Sequence, residues 1–196
     1  QLVQTADVGV LKELTVQEGD TVTSGQLLAV LEKERVQANL EETRARTMSL
    51  KAALIRAKAE VQFQTPQFGS EFRRYPEFVS AQQGLYAQRK RSLDEELRTM
   101  QDGLAMAMQE KRMNDNLFKS GDVSELDVLR AERQVTEIEG RIAATKNKYL
   151  QDTRTEMTRI EDELSSQNQK LNGAESLLSH TDIMAPMDGV VKTLKI

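Results

Sequence analysis

Apolar and small residues recur at alternating intervals of four and three along most of residues 32–178. Val36, Leu40, Thr43, Thr47, Leu50, Leu54, Ala57 and Val61 form one series. Leu93, Leu97, Met100, Leu104, Ala107, Lys111, Asn114 and Phe118 form a second, which turns polar toward its end. The third runs Val128, Ala131, Val135, Ile138, Ile142, Thr145, Tyr149, Thr153, Met157, Ile160, Leu164, Gln167, Leu171, Ala174, Leu178. A mean period of 3.5 places one narrow seam along a helix, so these segments are built to coil about one another. The spacing predicts helices over about 32–63, 77–118 and 124–178. The third series loses its alternation once, to 4-4 around Tyr149 to Met157, a stutter that relaxes the supercoil locally. Composition agrees: charged residues reach 30%, aromatics only 4%, and Trp is absent. The charges flanking the seams read as a solvated face with modest i,i+4 support.

Two breaks set the topology. "TPQFGSEFRRYP" carries Pro66 and Pro76, each of which disfavours helix at the residue before it, and Gly69 adds backbone freedom. "KSGDVSELD" supplies Gly121 as a helix stop and Ser124, three residues before Asp127, as a capping-box-like start. The third helix spans roughly 80 Å and the second roughly 60 Å. So short a break makes them an antiparallel hairpin with its tip at about 117–124. The first helix climbs roughly 48 Å. End to end with the second, it would make the outward arm far longer than the return. The linker 64–76, able to extend about 40 Å, is therefore expected to run back and let the second helix start low.

The helices are framed by β-like sequence. In "LKELTVQEGDTVTSGQLLAVLE", Val8 and Val10 upstream and then Leu14, Val16 and Val22 fall largely on alternate positions. Gly19 and Gly25 sit where tight turns need positive φ. After the helices, "TDIMAPMDGVVKTLKI" has Ile183 and Met184 before a Pro-bearing turn and Gly189 at another. Val190, Val191, Leu194 and Ile196 then resume strand character. Leu27–Leu31 and Ile183–Pro186 should lie together, with the hairpin inserted between two halves of one module. The fold class expected is mainly α with small β: a long antiparallel coiled-coil hairpin plus an extra short helix, set into a split β domain. Its parts would be 1–31, 32–179 and 180–196.

The two β segments resemble the first and second halves of a biotinyl/lipoyl domain. A lipoyl domain split by a helical hairpin is similar to periplasmic adaptor proteins, also called membrane fusion proteins. "PEFVSAQQGLYAQRKRSLDEELRTM" and the extra helix resemble the HlyD-like branch, which serves type I secretion in Gram-negative bacteria. The resemblance implies an adaptor between an inner-membrane ABC transporter and a TolC-like outer-membrane channel, passing a secreted protein substrate. It implies a ring, of six subunits by family pattern, and a periplasmic location. It also implies an inner-membrane anchor and a β-barrel domain, both outside residues 1–196. The alternatives are an adaptor for small-molecule efflux and, in a different class, a carrier domain of an acyl or carboxyl transfer enzyme.

The resemblance also points to the tip, "RMNDNLFKSGDVSEL". Efflux adaptors carry Arg, then Leu four residues on, then Ser seven further. Leu117 and Ser124 match that spacing. The Arg position holds Met113, with Arg112 beside it. The channel-contact candidates are thus Arg112, Leu117, Phe118, Gly121 and Ser124, and Gly19, Gly25 and Gly189 are the lipoyl-type turn glycines. A carrier would display a Lys on a tight hairpin. "AMAMQE" echoes the biotin motif, but Ala107 stands in the Lys position and on a seam, with Met106 and Met108 read as packing residues. No cofactor is expected. The one His, His180, assembles no metal or catalytic set. Cys is absent, which removes thiol chemistry. Net charge is -4 with signs interspersed, so no basic stripe offers a nucleic-acid site. No stretch approaches the apolar length of a membrane span. The reading is non-enzymatic.

Overall fold

The computed structural model describes residues 10–194, so Val8 and Ile196, both read as strand residues, lie outside the described residues. The elements are β1 (Leu11–Leu14), β2 (Thr21–Val22), β3 (Leu27–Leu31), α1 (Glu34–Val61), a 3-10 turn (Ser70–Arg74), α2 (Pro76–Ser120), α3 (Glu125–Ser179), β4 (Asp182–Met184) and β5 (Gly189–Val190). The fold is mainly helical, with three long helices and a small antiparallel β part. The chain divides into two compact units, residues 51–161 and the flanking stretches together. Helices α1 and α3 each contribute to both.

In the flanking unit, β1, β3 and β4 form an antiparallel sheet in that order, and β2 pairs with β5. Leu27 stands opposite Met184 and Ala29 opposite Ile183, so the two β segments join as one module. Backbone bonds stitch them further. Gly25 N donates to Ala185 O and Ala185 N to Gln26 O, both at 2.8 Å. Gly19 N donates to Val191 O at 2.8 Å and Val191 N to Asp20 O at 2.9 Å. Val16, Val22 and Ala185 form the small core, with Leu28 and Val191 against it. Gly19 and Gly25 have φ of 97° and 79°, the left-handed conformation their turns require.

Three expectations need correcting here. Gly189 is not at a positive-φ turn; it lies in β5 opposite Val22. The strand ends at Val190: Val191 still bonds the backbone of Asp20 and Gly19, but Leu194 spends its N–H on the Glu18 side chain, donating to Oε1 at 2.8 Å. Val10 and Leu14 are exposed, so among the described residues only Val16 and Val22 of the alternating set reach the core. In the same unit the lower turns of α1 and α3 pack through Leu40, Thr43, Thr47, Met48, Gln167 and Ala174. Arg44 pairs with Glu175 and Arg46 with Glu163, each at 3.0 Å, and Lys33 with Asp182 at 2.6 Å.

In the unit 51–161, the end of α1 lies beside the start of α2. Arg56 reaches Gln82, and Glu60 faces Arg89, so the two helices run parallel there. Both run antiparallel to α3: Arg56 and Arg89 meet Glu156, and farther along Thr145 meets Glu96. The first two helices are side by side, not collinear. The linker is not a plain extended strand. It contains the 3-10 turn, buries Phe72, and packs Phe68 edge-on against it at 5.6 Å between ring centroids. Pro76 then opens α2 at a position where the missing N–H costs nothing.

The end of α1 shows a cost. Gln64 N donates to Ala59 O at 2.8 Å and Phe63 N to Glu60 O at 3.1 Å, the paired bonds of a Schellman cap. The left-handed position of that cap is held by Phe63 at φ 54°, exposed to solvent, where glycine is usual. A side chain there costs about 1–2 kcal/mol and this one recovers little by burial. Phe63→Gly should therefore raise unfolding free energy by roughly 0.5–1 kcal/mol after glycine's own entropic cost, read from a denaturant midpoint shift at unchanged slope.

Candidate functional site

The tip is a turn of Gly121, Asp122 and Val123 between two capped helices. Helix α2 continues to Ser120, two residues past the expected 118, and ends at Gly121 with φ 80° and ψ 13°. Gly121 N donates to Phe118 O at 3.1 Å and Asp122 N to Leu117 O at 2.9 Å, again a Schellman cap, here with the residue that suits it. Helix α3 begins with a capping box. Asp127 N donates to Ser124 Oγ at 3.4 Å, and Ser124 N returns a bond to Asp127 Oδ2 at 3.2 Å. Ser124 Oγ also donates to Asp127 Oδ2 at 2.6 Å. These bonds to Ser124, side chain first and backbone second, hold the Asp127 carboxyl below the usual carboxylate range.

Four exposed apolar side chains flank this turn. Leu117 is 40% and Phe118 47% exposed, while Leu126 and Leu129 are 55% and 53% exposed. Leu117, Phe118, Gly121 and Ser124 are thus brought together. Arg112 is exposed but lies about two helical turns before the turn and takes no part in its bonds. Met113, in the Arg position of the tip pattern, is also exposed; Leu126 and Leu129 are not candidates from the sequence reading. The usable signal was that they fall off the Val128–Ala131–Val135 seam. Met106, read as a packing residue, is 73% exposed; Ala107 beside it is buried on the seam.

A second polar centre lies deep among the helices of the same unit. Arg56 and Glu60 are 1% and 2% exposed, which corrects the reading of all seam-flanking charges as solvated. Arg56 Nη1 donates to Glu60 Oε1 at 2.8 Å, Nε to Gln82 Oε1 at 2.8 Å, and Nη2 to Glu156 Oε1. Arg89 Nη1 donates to Glu156 Oε2 at 2.6 Å and lies over the Tyr149 ring, 5.9 Å from its centroid. Glu60 Oε2 has no hydrogen-bond partner, only Arg89 Nη1 at 3.5 Å. Burial, then the charge of Glu60, pushes the Tyr149 hydroxyl up to about 12. Burial opposes ionisation of Glu156, yet the bond from Arg89 and the charge of Arg56 hold it below the usual carboxylate range. No three His, Cys, Asp or Glu side chains among the described residues could hold a metal ion.

Residues 3–196 match the family model described as "RND MFP, barrel-sandwich hybrid domain". The chain belongs to this family of membrane fusion proteins. Among solved structures it is similar to the crystal structure of the soluble domain of LipC, a membrane fusion protein of a type I secretion system. That match has 21% identity over 96% of this chain and 90% of that one, with a TM-score of 0.65. It is also similar to the periplasmic adaptor protein EmrA, with 17% identity, all of this chain and 66% of that one, and a TM-score of 0.52. At these identities the likeness is one of fold: a helical hairpin with a barrel-sandwich hybrid. No curated protein matches significantly by sequence.

For this membrane fusion protein the cap at the tip can be tested through its charge. Asp127 is depressed in the folded state, so its stabilising contribution is complete above the ordinary value of 3.8 and is lost as pH falls through the lower folded one. A carboxyl carbon NMR titration should show Asp127 protonating at lower pH than an unstructured Asp, and Ser124→Ala should move that midpoint back up.

Proposed function

We propose that this chain is the periplasmic adaptor section of a type I secretion machine, a non-enzymatic conduit part linking an inner-membrane ABC transporter to a TolC-like outer-membrane channel. The likeness to LipC over nearly the whole of both chains is the observation that carries this reading. Family membership supports the adaptor role itself and the absence of catalysis. No helix among the described residues is long and apolar enough to cross a membrane, and an inner-membrane anchor would come from a segment outside this chain. The adaptor works as a ring, six copies by family pattern, around the path of a secreted protein.

The tip is the channel-facing contact. Leu117 and Phe118 supply apolar anchors on the last turn of α2, and Gly121 and Ser124 keep the turn tight enough to enter between channel helices. Arg112 borders that contact. The RND label of the family model favours a second reading, an adaptor for small-molecule efflux. Deleting the gene in its native host separates the two. Type I secretion predicts loss of one large exported protein from the medium; efflux predicts sensitivity to small toxic compounds with export intact. Leu117→Asp in the full-length protein should abolish export while circular dichroism and thermal midpoint stay those of the wild type. Export at the wild-type level in that variant would refute the tip contact.

A further inference from the structure

We propose that Arg56, Glu60, Arg89 and Glu156 form a seating latch: they decide where the last turns of α1 rest against α2 and α3, more than they hold the unit together. The fully buried apolar side chains of α1 here are small, and its larger ones, Leu54, Ile55 and Val61, are only half-buried. Its other fully or nearly buried side chains in this unit are Ala52, Ala57 and Ala59, shapes that distinguish poorly between one rotation or offset and the next. The directional information sits in the charges. Each nitrogen of the Arg56 fork serves a different helix: Nη1 goes to Glu60 on its own helix, Nε to Gln82 on α2, Nη2 to Glu156 on α3. A planar, rigid guanidinium meets three such acceptors in one placement only. Any other seating leaves Arg56 and Glu60 buried without partners, which is strongly disfavoured. Exchanging a whole buried ion cluster for apolar side chains of similar size is often neutral or stabilising. A cluster in such a place, with Arg56 and Glu60 sealed and Arg89 and Glu156 27% and 35% exposed, therefore points to specification of one arrangement.

The test uses the full chain, which has no native cysteine. Spin labels at Lys51→Cys and Lys90→Cys, both exposed positions outside the latch, report the distance between α1 and α2. The wild-type background should give a single narrow distance. With Arg56→Met, Glu60→Leu, Arg89→Met and Glu156→Leu together, the thermal midpoint should be unchanged or higher and the distance distribution broad or multiple. A single narrow distance in that variant, or a fall in its midpoint, overturns the proposal. The second arm is Glu60→Gln alone. Hydrogen exchange should accelerate roughly tenfold or more in the last turns of α1 while α2 and α3 near the tip keep their protection. Equal acceleration throughout the unit would make the cluster a general stabiliser and overturn the latch.

Discussion

A helix with a period of 3.5 has one narrow face to bury, and everything else in this chain follows from how little that face can hold. In the unit 51–161 three of the seven buried seam residues are alanine, Ala57, Ala107 and Ala131, beside Leu93, Val135, Thr153 and Ile160. Small side chains let helices approach closely but remove little apolar area per residue. Where a third helix joins, the seam cannot serve two neighbours at once. The chain meets this with polar groups bonded across helices, Arg56 donating to Gln82 on α2 and Glu156 on α3 as well as to Glu60 on its own helix. The stutter in α3 falls at the same level. Tyr149 and Thr153 flank the shift; Thr153 is fully buried and its hydroxyl returns to Tyr149 O at 2.8 Å, and Glu156 follows one turn on. A relaxed supercoil there lets α3 present one face to α2 and another to α1.

Much of this architecture is legible from spacing. The heptad rhythm marks the three helices, and a break as short as "KSGDV" leaves two long helices no arrangement but antiparallel. Arm lengths alone decide that the first and second helices lie side by side. The two β segments separated by helical sequence are readable because each ends without a partner. Less legible is anything that depends on what sits across an interface. Arg56 and Glu60 look like an ordinary exposed i,i+4 pair, and only Gln82, Arg89 and Glu156 from other helices make them buried. Met106 flanks a buried seam alanine, yet nothing packs over it. Gly189 looks like a turn residue because Pro186 and Asp188 precede it, but pairing with Val22 makes it strand.

The tip and the end of α1 show one device used at two qualities. Both helices close with the same pair of backbone bonds, and in both the residue after the cap must be left-handed. At the tip glycine fills that place without strain. At the end of α1 phenylalanine fills it, exposed and strained. The rigid turn belongs to the site with a proposed partner. Its rigidity is useful there, because a contact surface ordered in advance loses less entropy on docking.

The β module has a further consequence for how the chain acquires its structure. Ser24 N donates to Asp188 Oδ1 across 164 residues of sequence, and the ladder of β3 with β4 closes a loop of similar length. Contacts so distant come late in folding, since the intervening chain must first be shortened by its own structure. The α2–α3 hairpin does this by purely local steps and carries β4 back toward β3. Until it has done so, β3 offers an open edge able to accept a strand from another molecule. The return of the chain through the helices is thus a precondition for closing the module they interrupt. During synthesis the vulnerable interval lasts from the emergence of the first half to the return of the second.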